Sequence, residues 1–266
     1  MSVLDDILAA KRDEVTLLHQ PSARRAIERA ALAAPAPRDF AGALRSDDGT
    51  LAVIAELKRR SPSKGDLAPD LDPAVTAKAY EDGGAAALSV LTDAPFFGGS
   101  IDDLRAAREA TSLPALRKDF TIAEIQIYEA RAIGADALLL IVAAFGDDGY
   151  LRDLHEMARD LGLAVLVEAH DDAELERALD IGAAIVGVNS RSLHTFAEDL
   201  GVAESLARQL PDNVIAVAES AVRTTDDAAR VAAAGFDAVL AGEALVRADD
   251  PAALVRSFAS AKRAQR

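Results

Sequence analysis

Eight short apolar runs, at 52–57, 86–91, 114–116, 137–142, 163–167, 184–188, 214–218 and 238–240, recur along the chain and alternate with amphipathic patterns. The patterns between them, at 73–82, 101–110, 123–133, 147–161, 172–181, 198–210 and 225–234, carry helical periodicity. Strand–helix alternation builds βαβ units and a parallel sheet. A strand covered on both faces reads as a continuous apolar run, as Leu138-Leu139-Leu140-Ile141-Val142 does. Several helical patterns stop at a glycine before the next run, Gly134 and Gly162 among them. Eight repeats in 266 residues predict one closed (β/α)8 TIM barrel of the α/β class, a single domain over 1–266. An open doubly wound sheet shares the alternation, but its dinucleotide-binding form needs GxGxxG after the first strand. Here that strand runs into Glu56-Leu57-Lys58-Arg59-Arg60-Ser61-Pro62.

Two amphipathic patterns, at 3–17 and 22–32, precede the first run, with Pro35 and Pro37 marking a linker after them. Residues 1–48 are expected to form an N-terminal helical extension packed on the barrel.

Composition excludes several functions. The net charge of −15 repels nucleic acid and anionic membranes, so neither is expected as a partner. Without cysteine there is no disulfide, thiolate nucleophile or cysteine-held zinc. The four histidines, His19, His155, His170 and His194, form no HxxxH pair, so a metal site would need carboxylates alone and none is expected. The longest apolar run falls far short of the roughly 20 residues a membrane helix needs. Asp5 and Asp6 stand where a signal peptide would be basic, so a cytoplasmic location is expected.

In such barrels chemistry sits at the C-terminal strand ends. Those positions hold Glu56 and Lys58, Lys118 and Asp119, Glu168, Asn189, then Glu219 and Ser220. Alternation puts Glu56 with Lys58, and Lys118 with Leu116, on one face. Facing inward, two lysines and three carboxylates would converge in one mouth, a set suited to acid–base work on carbonyl and hydroxyl groups. Small residues after the last two strands, Ser220-Ala221 and Gly242-Glu243, suit a phosphate held by backbone N–H groups. Ser100 with Asp103 reads as a helix cap.

The segment from Val53 to Gly65, with Glu56-Leu57-Lys58-Arg59-Arg60-Ser61-Pro62 at its centre, resembles the signature of the indole-3-glycerol-phosphate synthase family. The resemblance continues through Phe96-Phe97-Gly98-Gly99-Ser100, Leu116-Arg117-Lys118-Asp119-Phe120, Val167-Glu168-Ala169-His170, Val188-Asn189-Ser190-Arg191, Ala218-Glu219-Ser220 and Ala241-Gly242-Glu243. It implies a carboxy-lyase of tryptophan biosynthesis. Such an enzyme closes the ring of 1-(2-carboxyphenylamino)-1-deoxyribulose 5-phosphate, with loss of CO2 and water and without cofactor or metal. It implies a small phosphorylated substrate and a monomer.

By the same resemblance Lys118, Glu56, Lys58, Glu168, Asn189 and Ser220 are the catalytic set. Lys118 is the general acid at the ketone oxygen, and Glu168 stabilises the cationic intermediate or orients that lysine. Glu56 and Lys58 serve the dehydration, and Asn189 holds a ribulose hydroxyl. Ser61, Phe97, Phe120, Arg191, Glu219, Ala221, Gly242 and Glu243 match binding positions, the two phenylalanines flanking the anthranilate ring. A phosphoribosylanthranilate isomerase would need a cysteine that the chain lacks, and a catalytically dead barrel would not need the full charged set.

Two departures stand out. The family pattern has Asn-Asn-Arg-Asp where this chain has Asn189-Ser190-Arg191-Ser192, and Ser-Gly where it has Ser220-Ala221. With the rest of the site kept, Ala221 is expected at negative φ, its methyl turned from the anion.

Overall fold

The computed structural model describes residues 3–46, 48–191 and 197–264. Eight parallel strands close into a barrel in sequence order: β1 (Ala52–Leu57), β2 (Ala87–Leu91), β3 (Ala115–Lys118), β4 (Ala137–Ile141), β5 (Ala164–Ala169), β6 (Ile185–Asn189), β7 (Ile215–Glu219) and β8 (Ala238–Ala241), with β8 pairing back to β1. Each expected strand is present, shifted by a few residues at most.

The extension carries α1 (Val3–Leu18) and α2 (Pro21–Ala33). The barrel helices are α3 (Pro73–Asp82), α4 (Ile101–Ala110), α5 (Glu124–Ala132), α6 (Asp148–Asp160), α7 (Asp172–Asp180), α8 (Leu200–Ala207), α9 (Thr225–Ala233) and α10 (Pro251–Ala259). Their starts are sequence-coded. Asp147, Asp171 and Thr224 each accept N–H groups of the first turn that would otherwise lack a partner, and such a cap stabilises a helix by about 1 kcal/mol. Gly134 and Gly162 follow α5 and α6 at φ of 86° and 80°, the left-handed stop that spares a Cβ clash.

Four helices were not legible as such: α10, and the single turns Phe40–Ala43, Ala94–Phe97 and Glu243–Val246. A short ladder of Arg60–Ser61 on Gly65–Asp66 in the loop after β1 is also new. Three of the helices are too short for periodicity to register, and α10 is marked only by Asp250-Pro251, its cap and first residue. The helix expected at 198–210 is shorter, because Glu198 bridges to Arg191 and Asp199 is the cap of α8.

Alternation divides the apolar residues into two buried sets. Ala52, Ile54, Leu116, Leu139, Leu166, Ile185, Val217 and Leu240 fill the barrel. Val53, Ala55, Leu88, Val90, Val165, Val167 and Val239 pack outward against the helices. Glu56, Lys118, Glu168, Asn189 and Glu219 keep the parity of the inner set, so the strands deliver them to the interior just above that plug. The extension is bound to the outer wall: α2 lies on α5, Arg24 of α2 pairs with Glu124 at 2.7 Å, and the Arg38 N–H donates to Asp136 at 2.7 Å.

Candidate active site

One cavity opens at the C-terminal ends of the strands, and all fourteen expected site residues border it. The strand ends supply Glu56, Lys118, Glu168, Asn189 and Glu219. The following loops supply Lys58, Ser61, Phe97, Phe120, Arg191, Ser220, Ala221, Gly242 and Glu243. Val3, Leu4 and Ile7 of α1 close one side, a contribution the sequence patterns did not disclose.

Lys118 is the centre of the site. Its Nζ lies 2.8 Å from Glu168 Oε2 and 2.9 Å from Glu219 Oε2. Burial alone would lower the lysine pKa. Glu168, Glu219 and Glu56 overcome that and hold it above its ordinary value, so Lys118 is an ammonium.

The two carboxylates divide in response. Burial would raise the pKa of Glu168, but Lys118 and His170 outweigh it and hold this carboxyl well below its usual range. Asn189 Nδ2 also donates to Glu168 Oε1 at 3.0 Å. For Glu219 burial wins over Lys118, Glu168 adds repulsion, and the pKa is pushed up to about 8. Its Oε1 has no hydrogen-bond partner among the described residues. The charged forms of Lys118 and Glu168 are thus favoured together, and Glu219 is the carboxyl pushed toward keeping its proton.

A second ion pair stands beside it. Lys58 Nζ lies 2.6 Å from Glu56 Oε1, and Ser89 Oγ of β2 donates to Glu56 Oε2 at 3.3 Å. Two glycines make room for these groups. A Cβ on Gly187 would stand 2.0 Å from Glu219 Oε1, and one on Gly242 would stand 2.4 Å from Glu56 Oε1. A glycine inside a strand marks such close approaches, and Gly187 in β6 was the legible signal.

The phenylalanines pair across the mouth, their ring centroids 6.1 Å apart and tilted by 36°. Their settings share an anchor. Asp93 caps the turn bearing Phe97, Asp119 Oδ1 accepts the Phe120 N–H at 2.8 Å, and Lys11 of α1 reaches both carboxylates, at 3.0 and 2.9 Å. Lys11 is 2% exposed. A lysine on the apolar stripe of Leu4, Ile7 and Leu8 is the sequence signal for it.

Arg191 Nη1 donates to Ser63 Oγ at 2.6 Å, and its guanidinium also pairs with Glu198, which binds Arg223 as well. Ser100 accepts the Asp103 N–H as a cap.

The expectation for residue 221 is overturned. Ser220 and Ala221 have φ of 64° and 60°. The Val222 N–H donates to Ser220 O at 2.8 Å, which closes a three-residue turn around Ala221. With φ of 60° at its centre this is the rarer, strained form of the three-residue turn, the commoner form having negative φ there. Ala221 packs on the outer apolar set. Ser190, the other departure, is buried, and Ser192 and His194 lie outside the described residues. Among the described residues no group of three His, Asp or Glu is placed to hold a metal, and no helix is long and apolar enough to cross a membrane.

Residues 4–258 match the family model described as "Indole-3-glycerol phosphate synthase". Relatives of that name include one from a Nocardioides species, 52% identical, with 96% of this chain and 97% of the relative aligned. Another, from Mycobacterium ulcerans, is 49% identical over 98% of this chain and 94% of its own. Among solved structures, a 3-hexulose-6-phosphate synthase from Salmonella typhimurium aligns with a TM-score of 0.63 at 16% identity, covering 79% of this chain and 97% of its own. A thiamine phosphate pyrophosphorylase from Pyrococcus furiosus aligns with a TM-score of 0.59 at 18% identity, covering 79% and 94%. Those two share the fold.

Proposed function

The chain belongs to the indole-3-glycerol phosphate synthase family, and from that premise we propose that it is a carboxy-lyase of tryptophan biosynthesis with that activity. It would convert 1-(2-carboxyphenylamino)-1-deoxyribulose 5-phosphate to indole-3-glycerol phosphate, CO2 and water. The observation that carries this reading is Lys118, its Nζ 2.8 Å from Glu168 and 2.9 Å from Glu219 in the cavity.

In this reading the substrate's aromatic ring packs against the Phe97 and Phe120 pair, with Ser61 and Arg191 beside its polar groups. Ser220, Ala221, Gly242 and Glu243 border the phosphate, where backbone N–H groups meet the anion. Asn189 holds a ribulose hydroxyl. Lys118 gives its proton to the ketone oxygen as the ring carbon bearing the carboxylate attacks, so that oxygen becomes a hydroxyl. The anionic Glu168 faces the resulting cation. Loss of CO2 returns the electron pair to the ring. The Lys58–Glu56 pair then completes dehydration: Lys58 protonates the departing hydroxyl and Glu56 takes the proton that restores the indole. Glu219, as an acid, donates a hydrogen bond.

No cofactor or metal enters the sequence, and a cytoplasmic monomer satisfies it. Indole fluorescence on mixing folded protein with the substrate tests the proposal. Stoichiometric release of indole-3-glycerol phosphate is expected, and a folded protein that yields none overturns it.

A further inference from the structure

His170 follows β5 directly, and the reaction above gives it no part. Its Nε2 stands 3.2 Å from Glu168 Oε1, a charge contact without the alignment of a hydrogen bond. Its Nδ1 lies 2.9 Å from Glu174 Oε2, and that same oxygen accepts the His170 backbone N–H at 2.9 Å. Glu174 belongs to the first turn of α7, where the helix dipole favours a carboxylate. The ring is 10% exposed. A neutral imidazole carries one N–H, so a carboxylate at each nitrogen selects the doubly protonated ring. Burial opposes that charge, yet Glu168 and Glu174 together hold the His170 pKa up to about 10.

The other groups around Glu168 come from three strands. Lys118 of β3 lies at its Oε2, Asn189 of β6 donates to Oε1, and the Glu219 acid of β7 shares the lysine. Lys118 is the nearest cation, and it is the one that must give up its proton. At that moment Glu168 loses its main counter-charge while it remains buried, and burial drives a carboxylate to take a proton.

We propose that His170, anchored by Glu174, is a positioning residue that keeps Glu168 ionised and oriented while Lys118 serves the substrate. The imidazolium lies behind Glu168 and is held from α7, so it stays when the lysine is spent. The inference rests on the proposed reaction.

Two measurements test it. Histidine-labelled protein is titrated by NMR, with His170 assigned from the spectrum of His170→Gln. Its ring should remain doubly protonated above about pH 8, where an ordinary histidine is neutral. A ring that loses its proton near the ordinary value overturns the proposal. The second measurement is the pH profile of kcat/KM. His170→Gln keeps a polar side chain and removes the charge. Its acidic limb should move up by about one pH unit, with near-normal activity on the alkaline side. Glu174→Gln, which leaves the ring in place, should move the limb in the same direction. A uniform loss at every pH in both variants, or an unchanged profile, overturns the proposal. If the wild-type protein forms no product, the functional reading fails, while the NMR titration still decides the charge of His170.

Discussion

Gly187 and Glu219 compete for one space: a Cβ on the glycine would stand 2.0 Å from the Glu219 Oε1. The bare backbone of β6 is what lets this carboxyl lean across to Lys118.

Gly187→Ala therefore acts on the site more than on the fold. The end of Glu219 can swing aside, so the thermal midpoint should change little. The displaced carboxyl lets Lys118 shift, and a misplacement of about 1 Å near the chemistry costs about tenfold to a hundredfold in kcat/KM. Steady-state kinetics beside a melting curve would show this. Wild-type kcat/KM in the variant would refute the packing argument.

Lys118→Ala should remove most turnover, since a positioned acid contributes about 10²- to 10⁴-fold. Circular dichroism should show the barrel intact. The variant should also be less stable than the wild type, by a margin that depends on pH. In the wild type Glu168 has a depressed pKa, so its contribution is present above the unfolded carboxylate value and disappears as pH falls through the folded one. The stability gap between the two proteins should close on acidification. A gap that widens in acid would contradict the assigned pairing.

Glu219 works in the opposite sense. Its folded pKa of about 8 lies above the ordinary 4.5, so between those values the native state holds a proton that the unfolded state has released. Wild-type stability should thus fall as pH rises through that window. Glu219→Gln lacks the titration and should gain on the wild type from pH 4.5 to about 8, then level off. Denaturant midpoints across pH would measure the difference, and parallel curves would refute it.

Lys11→Met tests the anchor beneath the aromatic walls. Removing one partner of a buried ion pair costs about 3–5 kcal/mol, because the carboxylates remain. Asp119 retains Arg117 at 3.2 Å, so the lower end of that range is expected. Since Asp93 and Asp119 set Phe97 and Phe120, KM should rise in the folded fraction. A variant as stable as the wild type would show that the buried lysine is not compensating those charges.

Ala221→Gly should stabilise the protein. Alanine at φ of 60° is strained, and glycine is not. Part of the relief is offset by the looser unfolded chain, which leaves a net gain of about 0.5 kcal/mol. A lower unfolding midpoint for the glycine variant would refute this.

The strand and helix plan was legible because it is local. Alternation along a strand and periodicity along a helix are written in consecutive residues, so the eight runs found their strands and the inner parity of Glu56, Lys118, Glu168 and Glu219 was already readable. The short turns at Ala94–Phe97 and Glu243–Val246 were not, since one turn carries no period. The barrel and the strand-end residues of its mouth were thus determined by the sequence alone, whereas the part α1 plays in closing it was not. Tertiary structure decided how the mouth is charged and shaped. Lys118 lies almost equally near Glu168 and Glu219, so which carboxyl keeps a proton depends on what else surrounds each. His170 stands beside Glu168, and Lys118, Glu168 and Glu219 meet from strands far apart in the chain. Lys11 reaches Asp93 and Asp119 only because α1 lies across the barrel end. The positive φ at Ala221 belongs to a turn closed by the Val222 N–H on Ser220 O, against the preference of its own residue. Patterning is a property of neighbours in sequence, whereas burial, ion pairing and backbone strain are properties of neighbours in space.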